Sequence, residues 1–263
     1  MDDLRVQSQP SRRQVWRMFD RIAPRYDFLN RVLSLRQDVS WRRRMATFLK
    51  GRRNLKLLDL ATGTGDQIFF LLDAGANVTH ALGLDLAEAM LAIGRRKIAA
   101  RGLAGRVELR LGDAMAIPAE TGTFDVATMS FGIRNVEQTD VALKEIWRVL
   151  NPGGRALILE FSVPANRLVR GFYLFYFRHV LPRIGEAVSG DGEAYRYLNQ
   201  TAETFPCGEA FCELLRQAGF VDVAALPLTF GIATIYKGDK PEGKSLSPPS
   251  PPVKQDDISR KKG

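Results

Sequence analysis

Two glycines and three carboxylates are the residues here whose types and spacing could do chemistry. In Leu57-Leu58-Asp59-Leu60-Ala61-Thr62-Gly63-Thr64-Gly65-Asp66 an apolar run closes on a carboxylate, then on small residues, then on a helix start. Gly63 and Gly65 let backbone approach a ligand where a Cβ would collide. Leu82-Gly83-Leu84-Asp85 supplies an acid about as far on as the second strand of a doubly wound sheet presents its ribose-binding carboxylate. Val107 to Ala114 alternates and ends on Asp113-Ala114, where the exocyclic amine of an adenine can be met. Phe124 to Ser130 reads as the fourth strand, beside the first at the topological switch point. Asp59, Asp85 and Asp113 at successive strand ends predict an adenosine-containing ligand.

Charge selects among such ligands. A dinucleotide site uses G-x-G-x-x-G, with pyrophosphate on bare helix N–H groups. This loop lacks the third glycine, and Asp66 stands where a phosphate would approach. No Gly-Lys-Ser/Thr follows, which removes the phosphate-loop reading. Asp59 and Asp66 together suit a cationic ligand, the ammonium and sulfonium of S-adenosylmethionine. A nicotinamide or flavin cofactor, or a glycine turn holding no ligand, are the alternatives.

Strands near 55–61, 79–85, 106–112, 124–130 and 155–161 must position these residues, with helices near 66–74, 86–101 and 137–150. Their alternation predicts an α/β, doubly wound, mostly parallel seven-stranded sheet with an antiparallel final strand. Asn151-Pro152-Gly153-Gly154 should end a helix before the fifth strand, and strands near 221–226 and 229–237 should form a closing hairpin after a helix near Cys207–Ala218. Ahead of the sheet, Ser11-Arg12-Arg13-Gln14 has capping-box form, and Pro24 should limit the helix that it starts. A second helix over about Asp38 to Lys50 carries the basic cluster Arg42-Arg43-Arg44. Residues 1–54 are thus read as a basic helical cap, 55–239 as the ligand-binding domain with a lid insertion at about 165–205, and 240–263 as a disordered Pro-rich, charged tail.

The net charge of +9 is uneven: residues 1–56 carry a local +10, residues 57–239 a local −4 and residues 240–263 a local +3. Two cysteines and no signal peptide point to a reducing cytosol. His80 and His179, far apart and without a Cys/His cluster, argue against a metal site. No RNA-binding signature accompanies the basic start, so no nucleic-acid partner is expected. Phe172-Tyr173-Leu174-Phe175-Tyr176-Phe177 would point in all directions from a helix, so these rings cannot all enter one core.

Longer stretches are more specific. Tyr26-Asp27-Phe28-Leu29-Asn30-Arg31-Val32-Leu33-Ser34 through Trp41, Ser130 to Asn135, Arg148 to Ser162, Val180 to Gly185 and Tyr195 to Leu198 resemble signatures of the menaquinone/ubiquinone-biosynthesis C-methyltransferase family, over residues 15 to 237. The resemblance implies a class I S-adenosylmethionine-dependent methyltransferase fold and methyl transfer to a ring carbon of a prenylated quinol. It also implies that Thr64, Asp85, Asp113, Ala114 and Ser130 contact the methyl donor. Leu29 stands where the family often has Met, and Asn151 replaces its usual Lys. Asp38 stands where ubiquinone-pathway members commonly have His, which favours demethylmenaquinol as substrate. The alternatives are the ubiquinone precursor 2-methoxy-6-polyprenyl-1,4-benzoquinol, another phenol, RNA, or a non-catalytic binding protein that keeps the fold.

Carbon methylation needs an electron-rich ring carbon, so a phenolic proton must leave or begin to leave. Arg134 is the expected cation for the developing phenolate. Tyr26, Asn135 and Tyr197 are candidate ring-positioning or proton-relay groups, and His179 a candidate base. Asp59, Gly63 and Gly65 complete the expected donor site. The basic start and aromatic block predict peripheral contact with anionic membrane at the inner face of the cytoplasmic membrane; a homodimer is left open.

Overall fold

The computed structural model describes residues 15–180, Arg183 and residues 201–243. Seven strands form one sheet in the order β3-β2-β1-β4-β5-β7-β6: β1 (Leu55–Leu60), β2 (Val78–Asp85), β3 (Val107–Leu111), β4 (Phe124–Ser130), β5 (Leu150–Phe161), β6 (Val221–Leu228) and β7 (Ala233–Asp239). The first five pair in parallel, and β7 runs antiparallel to both β5 and β6. Central β1 is buried on both faces, and Leu55, Leu57, Leu58 and Leu60 are all enclosed. The chain crosses over between β1 and β4, so the loops after these strands open into a crevice at their carboxyl ends.

Helices α3 (Asp66–Asp73), α4 (Glu88–Ala100), α5 (Thr139–Val149) and α7 (Glu209–Gln217) cover the two faces, over apolar clusters centred on Leu57, Ile68 and Leu91 and on Leu60, Ile146 and Phe211. Over the crevice lie α1 (Val15–Leu33), α2 (Gln37–Met45) and α6 (Arg167–Phe175), which runs on through a π-helical turn at Tyr176–Val180. Val15, Met18 and Leu29 of α1 pack with Tyr173 and Phe177, joining the two ends of the cap.

Three local expectations change, and a fourth is not tested. Helix α1 continues through Pro24 to Leu33. The ring costs one backbone bond, but burial before it (Met18, Ile22) and after it (Leu29) keeps both halves aligned. The box at Ser11–Gln14 lies outside the described residues. Asn151-Pro152-Gly153-Gly154 is an irregularity inside β5: Leu150 already pairs with Phe124, and the register shifts before Arg155 meets Val126. A Cβ on Gly154 would sit 2.7 Å from the Asn151 carbonyl, so the kink needs glycine. The closing hairpin turns later, through Thr229–Gly231, where Thr229 and Phe230 adopt positive φ of 43° and 58°.

Candidate functional site

The loops after β1 to β4 enclose a cavity of about 220 Å³ lined by Gly63, Asp85, Asp113, Ala114, Ser130 and Asn135, among others. Asp85 closes β2, and its carboxylate accepts the N–H groups of Gly63 (2.7 Å) and Ala87 (2.9 Å), which fixes its orientation. Burial raises its pKa against those bonds. Asp113 Oδ1 accepts the Met115 N–H at 2.9 Å, a bond that leaves Oδ2 unclaimed. Gly63 has a φ of +57°, a left-handed conformation that requires glycine more than close approach does: a Cβ there would meet only Tyr26, at 3.9 Å. Ser130 Oγ donates to Gln67 Oε1 at 2.8 Å.

Three of the expected donor-site residues, Asp59, Thr64 and Gly65, are not on the wall of this cavity; Asp59 and Thr64 line a narrow crevice that adjoins it. Asp59 is buried and accepts the hydroxyls of Thr62 and Thr128, both at 2.6 Å. Burial lifts its pKa to about 6, against these hydrogen bonds and Arg42. Thr64 donates to Asp27 Oδ1 (2.7 Å) and accepts from Lys97 Nζ (2.8 Å). Gly65 begins α3 with a φ of +82° and faces the Phe69 ring. Asp66 does not face a free cationic ligand either. It pairs with Lys97 at 2.7 Å and with Arg31, which also holds Asp38. Burial pushes the Asp66 pKa up, but Lys97, Arg42 and Arg31 outweigh it and the net shift is downward. The negative crevice expected from Asp59 and Asp66 is therefore already compensated, because α1 and α4 bring cations that a local reading of the loop does not see.

A second, apolar cavity of about 460 Å³ lies under the cap, lined by residues of α1, α2, α6 and the β4 and β5 ends. Phe19, Tyr26 and Phe131 line both this cavity and the first, and so form the wall between them. Phe131 holds a positive φ of 59°, and its N–H donates to the Leu159 carbonyl at 2.7 Å. Gly132 follows because a Cβ there would lie 2.4 Å from that of Ala61. Arg134 lines the apolar cavity and is buried. Its Nη1 bridges Glu160 Oε1 and the Phe131 carbonyl, each at 2.7 Å, and its guanidinium lies 5.5 Å from the Phe161 ring centre. Glu160, unremarked in the sequence reading, is thus its counter-ion. Burial raises the Tyr26 pKa above that of a free phenol, with Arg42 opposing, so Tyr26 is a neutral donor at ordinary pH.

A profile of the ubiE/COQ5 methyltransferase family matches residues 6–240. The chain belongs to this family. It is 46% identical over 223 residues to the ubiquinone/menaquinone biosynthesis C-methyltransferase UbiE of Geobacter sulfurreducens, covering 85% of this chain and 87% of that protein. It is likewise 46% identical over 224 residues to the demethylmenaquinone methyltransferase of Thermus thermophilus, covering 85% of this chain and all of that protein. Among solved structures, a possible histamine N-methyltransferase of Thermotoga maritima, described as an S-adenosylmethionine-dependent methyltransferase, superposes with a TM-score of 0.60 at 20% identity, over 86% of this chain and 100% of that one. The fold is that of the S-adenosylmethionine-dependent methyltransferases.

Within this ubiE/COQ5 chain the remaining candidates separate. Asn135 lines the smaller cavity. Tyr197 lies outside the described residues. His179 is exposed and stacks on Phe175, 5.2 Å between ring centres, away from both cavities. Asp38 lines the apolar cavity, buried, with Ser34 Oγ donating at 2.8 Å. The sequence reading missed Arg42 by treating Arg42-Arg43-Arg44 as one basic cluster. Arg43 and Arg44 are exposed, whereas Arg42 is 6% exposed and lines the apolar cavity. Its signal was periodic: Asp38, Trp41, Arg42 and Met45 follow the i, i+3, i+4, i+7 spacing of a buried helix face. Among the described residues, three buried side-chain polar atoms lack a partner: Arg42 Nε, Arg134 Nε and Asn135 Oδ1. All three belong to residues lining the two cavities. Buried polar atoms are rarely left unpaired, which sets these three apart from the rest of the described interior.

Proposed function

We propose that this chain methylates the ring of demethylmenaquinol, with S-adenosylmethionine as methyl donor, and so completes a menaquinone. The observation that carries this reading is the pair of cavities divided by Phe19, Tyr26 and Phe131. One is built from polar strand ends and suits an adenosyl group; the other is apolar, with a buried arginine at its wall, and suits a prenylated phenol. The bound donor supplies an electrophilic methyl group, which a ring carbon takes as its hydrogen leaves as a proton, and S-adenosylhomocysteine departs.

The chain's own part is positioning and charge. Asp85 and Asp113 are assigned the ribose and adenine, with Gly63, Ala114, Ser130 and Asn135 lining the remaining wall. Asp59, Thr64 and Gly65 are assigned a supporting role, holding the loop that carries Gly63. Arg134 is assigned the quinol oxygen, to whose developing negative charge its Nε–H can donate while Glu160 holds the guanidinium through Nη1. Tyr26, neutral and shared by both cavities, is assigned to align the ring with the methyl group. Demethylmenaquinol is favoured over the benzoquinol precursor by Asp38, which lines the acceptor cavity where ubiquinone-pathway members of the family commonly carry His, and by the name of the Thermus relative.

The same geometry supports contact with lipid. Leu35 and Phe172 line the acceptor cavity yet are 77% and 78% exposed, so they rim its mouth, and Leu168 and Phe175 of α6 are exposed as well. No helix among the described residues is long and apolar enough to cross a membrane. We read this rim, with the basic N-terminal segment, as a peripheral foothold on the inner face of the cytoplasmic membrane. Flotation with anionic liposomes should recover the protein at low salt and lose it at high salt; no binding at low salt contradicts this part. The reaction is tested with labelled S-adenosylmethionine and reduced demethylmenaquinone beside the benzoquinol precursor, with products weighed by mass spectrometry. Label in menaquinone is expected; label only in the benzoquinol product would reverse the substrate assignment.

A further inference from the structure

Among the described residues, Arg42 is a buried cation without a salt-bridge partner. Its Nε–H has no acceptor there either. The three nearby acids are all spoken for: Asp38, one turn away on α2, is paired with Arg31. Asp59 already accepts the hydroxyls of Thr62 and Thr128, and Asp66 is paired with Lys97 and Arg31. Its one strong contact is the face of Phe131, 5.2 Å from the ring centre. Leaving a guanidinium out of water with no anion is costly, so the site is completed by one from outside the chain.

The position of Arg42 indicates which anion. Besides the acceptor cavity it lines a narrow crevice of about 10 Å³, together with Tyr26, Gly63, Ser130 and the two carboxylates Asp59 and Asp66. Tyr26, Ala61, Gly63 and Ser130 also line the donor cavity, so the crevice is the donor cavity's continuation past the glycine loop, toward α2. A nucleoside seated against Asp85 and Asp113 would send its 5′ substituent that way. In S-adenosylmethionine that substituent ends in an α-amino acid, whose carboxylate is a full anion. A quinol offers only a developing charge, and Arg134 already faces it.

We propose that Arg42 binds the α-carboxylate of the methyl donor, making α2 part of the donor site. This rests on the reading that the smaller cavity takes S-adenosylmethionine. Asp59 and Asp66 line the same crevice, so the donor's amino-acid end would meet a cation from the cap beside the carboxylates of the loop. Docking the donor then fixes Phe131, the shared wall, through the guanidinium stacked on it.

The test is calorimetric, on the full chain, with S-adenosylhomocysteine and with its decarboxylated analogue, which keeps the adenosine, sulfur and amine. Loss of one partner of a buried charge pair should weaken S-adenosylhomocysteine binding to Arg42→Met by at least about thirtyfold. The decarboxylated analogue should bind wild type and Arg42→Met within about twofold of each other, and Arg42→Lys, keeping the charge, should recover about half of the lost binding free energy. Equal weakening of both ligands would mean a structural role, and unchanged S-adenosylhomocysteine binding with a raised quinol KM would move Arg42 to the acceptor; either overturns the proposal. Should Arg42→Met fail to fold, wild type and Arg42→Lys decide: wild type must prefer the carboxylated ligand, and the substitution must shrink that preference. Wild type that binds neither ligand sinks the donor-site reading itself, a result distinct from all of these.

Discussion

The two cavities meet at Tyr26 and Phe131 but are built in opposite ways. The donor cavity is made of strand ends: four consecutive parallel strands of one sheet deliver Gly63, Asp85, Asp113 and Ser130, and backbone bonds such as Gly63 N–H to Asp85 hold them. The acceptor cavity is made of helices laid over the sheet, α1 and α2 from the start of the chain and α6 from beyond β5, held by ion pairs and ring contacts distant in sequence. A sheet edge fixes a ligand site locally, whereas a helical cap fixes one only once the chain has folded back. The donor side should therefore fail by lost affinity and the acceptor side by lost turnover.

The largest effect is expected at Arg134. Arg134→Gln should lower kcat by roughly 10²–10³-fold, as for loss of one preorganised oxyanion donor, while S-adenosylhomocysteine affinity stays within about twofold. Urea unfolding should also show a loss of about 3–5 kcal/mol, because Glu160 is left buried and unpaired. Adding Glu160→Gln should restore much of that stability and none of the rate. A double variant that regains turnover would show that Arg134 only packs the acceptor wall.

Asp59 gives the next effect, in the crevice that adjoins the donor cavity. Its carboxyl titrates at about 6 in the folded chain against an ordinary value of 3.8. Between those values the native state binds more protons than the unfolded one, so the stability is present at low pH and lost as pH rises through about 6. The cost at pH 8 is on the order of 2–3 kcal/mol. Asp59→Asn should flatten this part of the stability profile between pH 4 and 8, measured by urea unfolding; a variant profile parallel to wild type would show that Asp59 stays ionised. A smaller effect is expected at Asp85, where Asn keeps the shape but halves the acceptors. Asp85→Asn should raise the S-adenosylhomocysteine Kd about 10–30-fold, in line with loss of charge-assisted hydrogen bonds, and leave the quinol KM unchanged at saturating donor. A shift in the quinol KM alone would dissolve the distinction between the two sides.

The same contrast explains what could be read from the chain in advance. Strand ends after Asp59, Asp85, Asp113 and Ser130 were legible because each acid closes an apolar run, a local signal. The antiparallel β7 followed from the late hairpin, and the family signatures located Tyr26, Arg134 and Asn135. Charge compensation was not legible: Lys97 and Arg31 reach Asp66 from 31 and 35 residues away, and Glu160 reaches Arg134 across 26. Nor was the separation of Arg42 from its basic neighbours, which needs the face of α2 and not its composition. Pro24 misled for the same reason, since a proline's local penalty was overruled by packing on both sides of it.

One structure tests the account most directly: the chain crystallised with S-adenosylhomocysteine and a short-chain naphthoquinone together. The adenosine should lie between Asp85 and Asp113, and the quinone ring across Tyr26 and Phe131 with an oxygen on Arg134 Nε. A quinone ring seated on the Asp85 side of that wall, or outside the cap altogether, would contradict it.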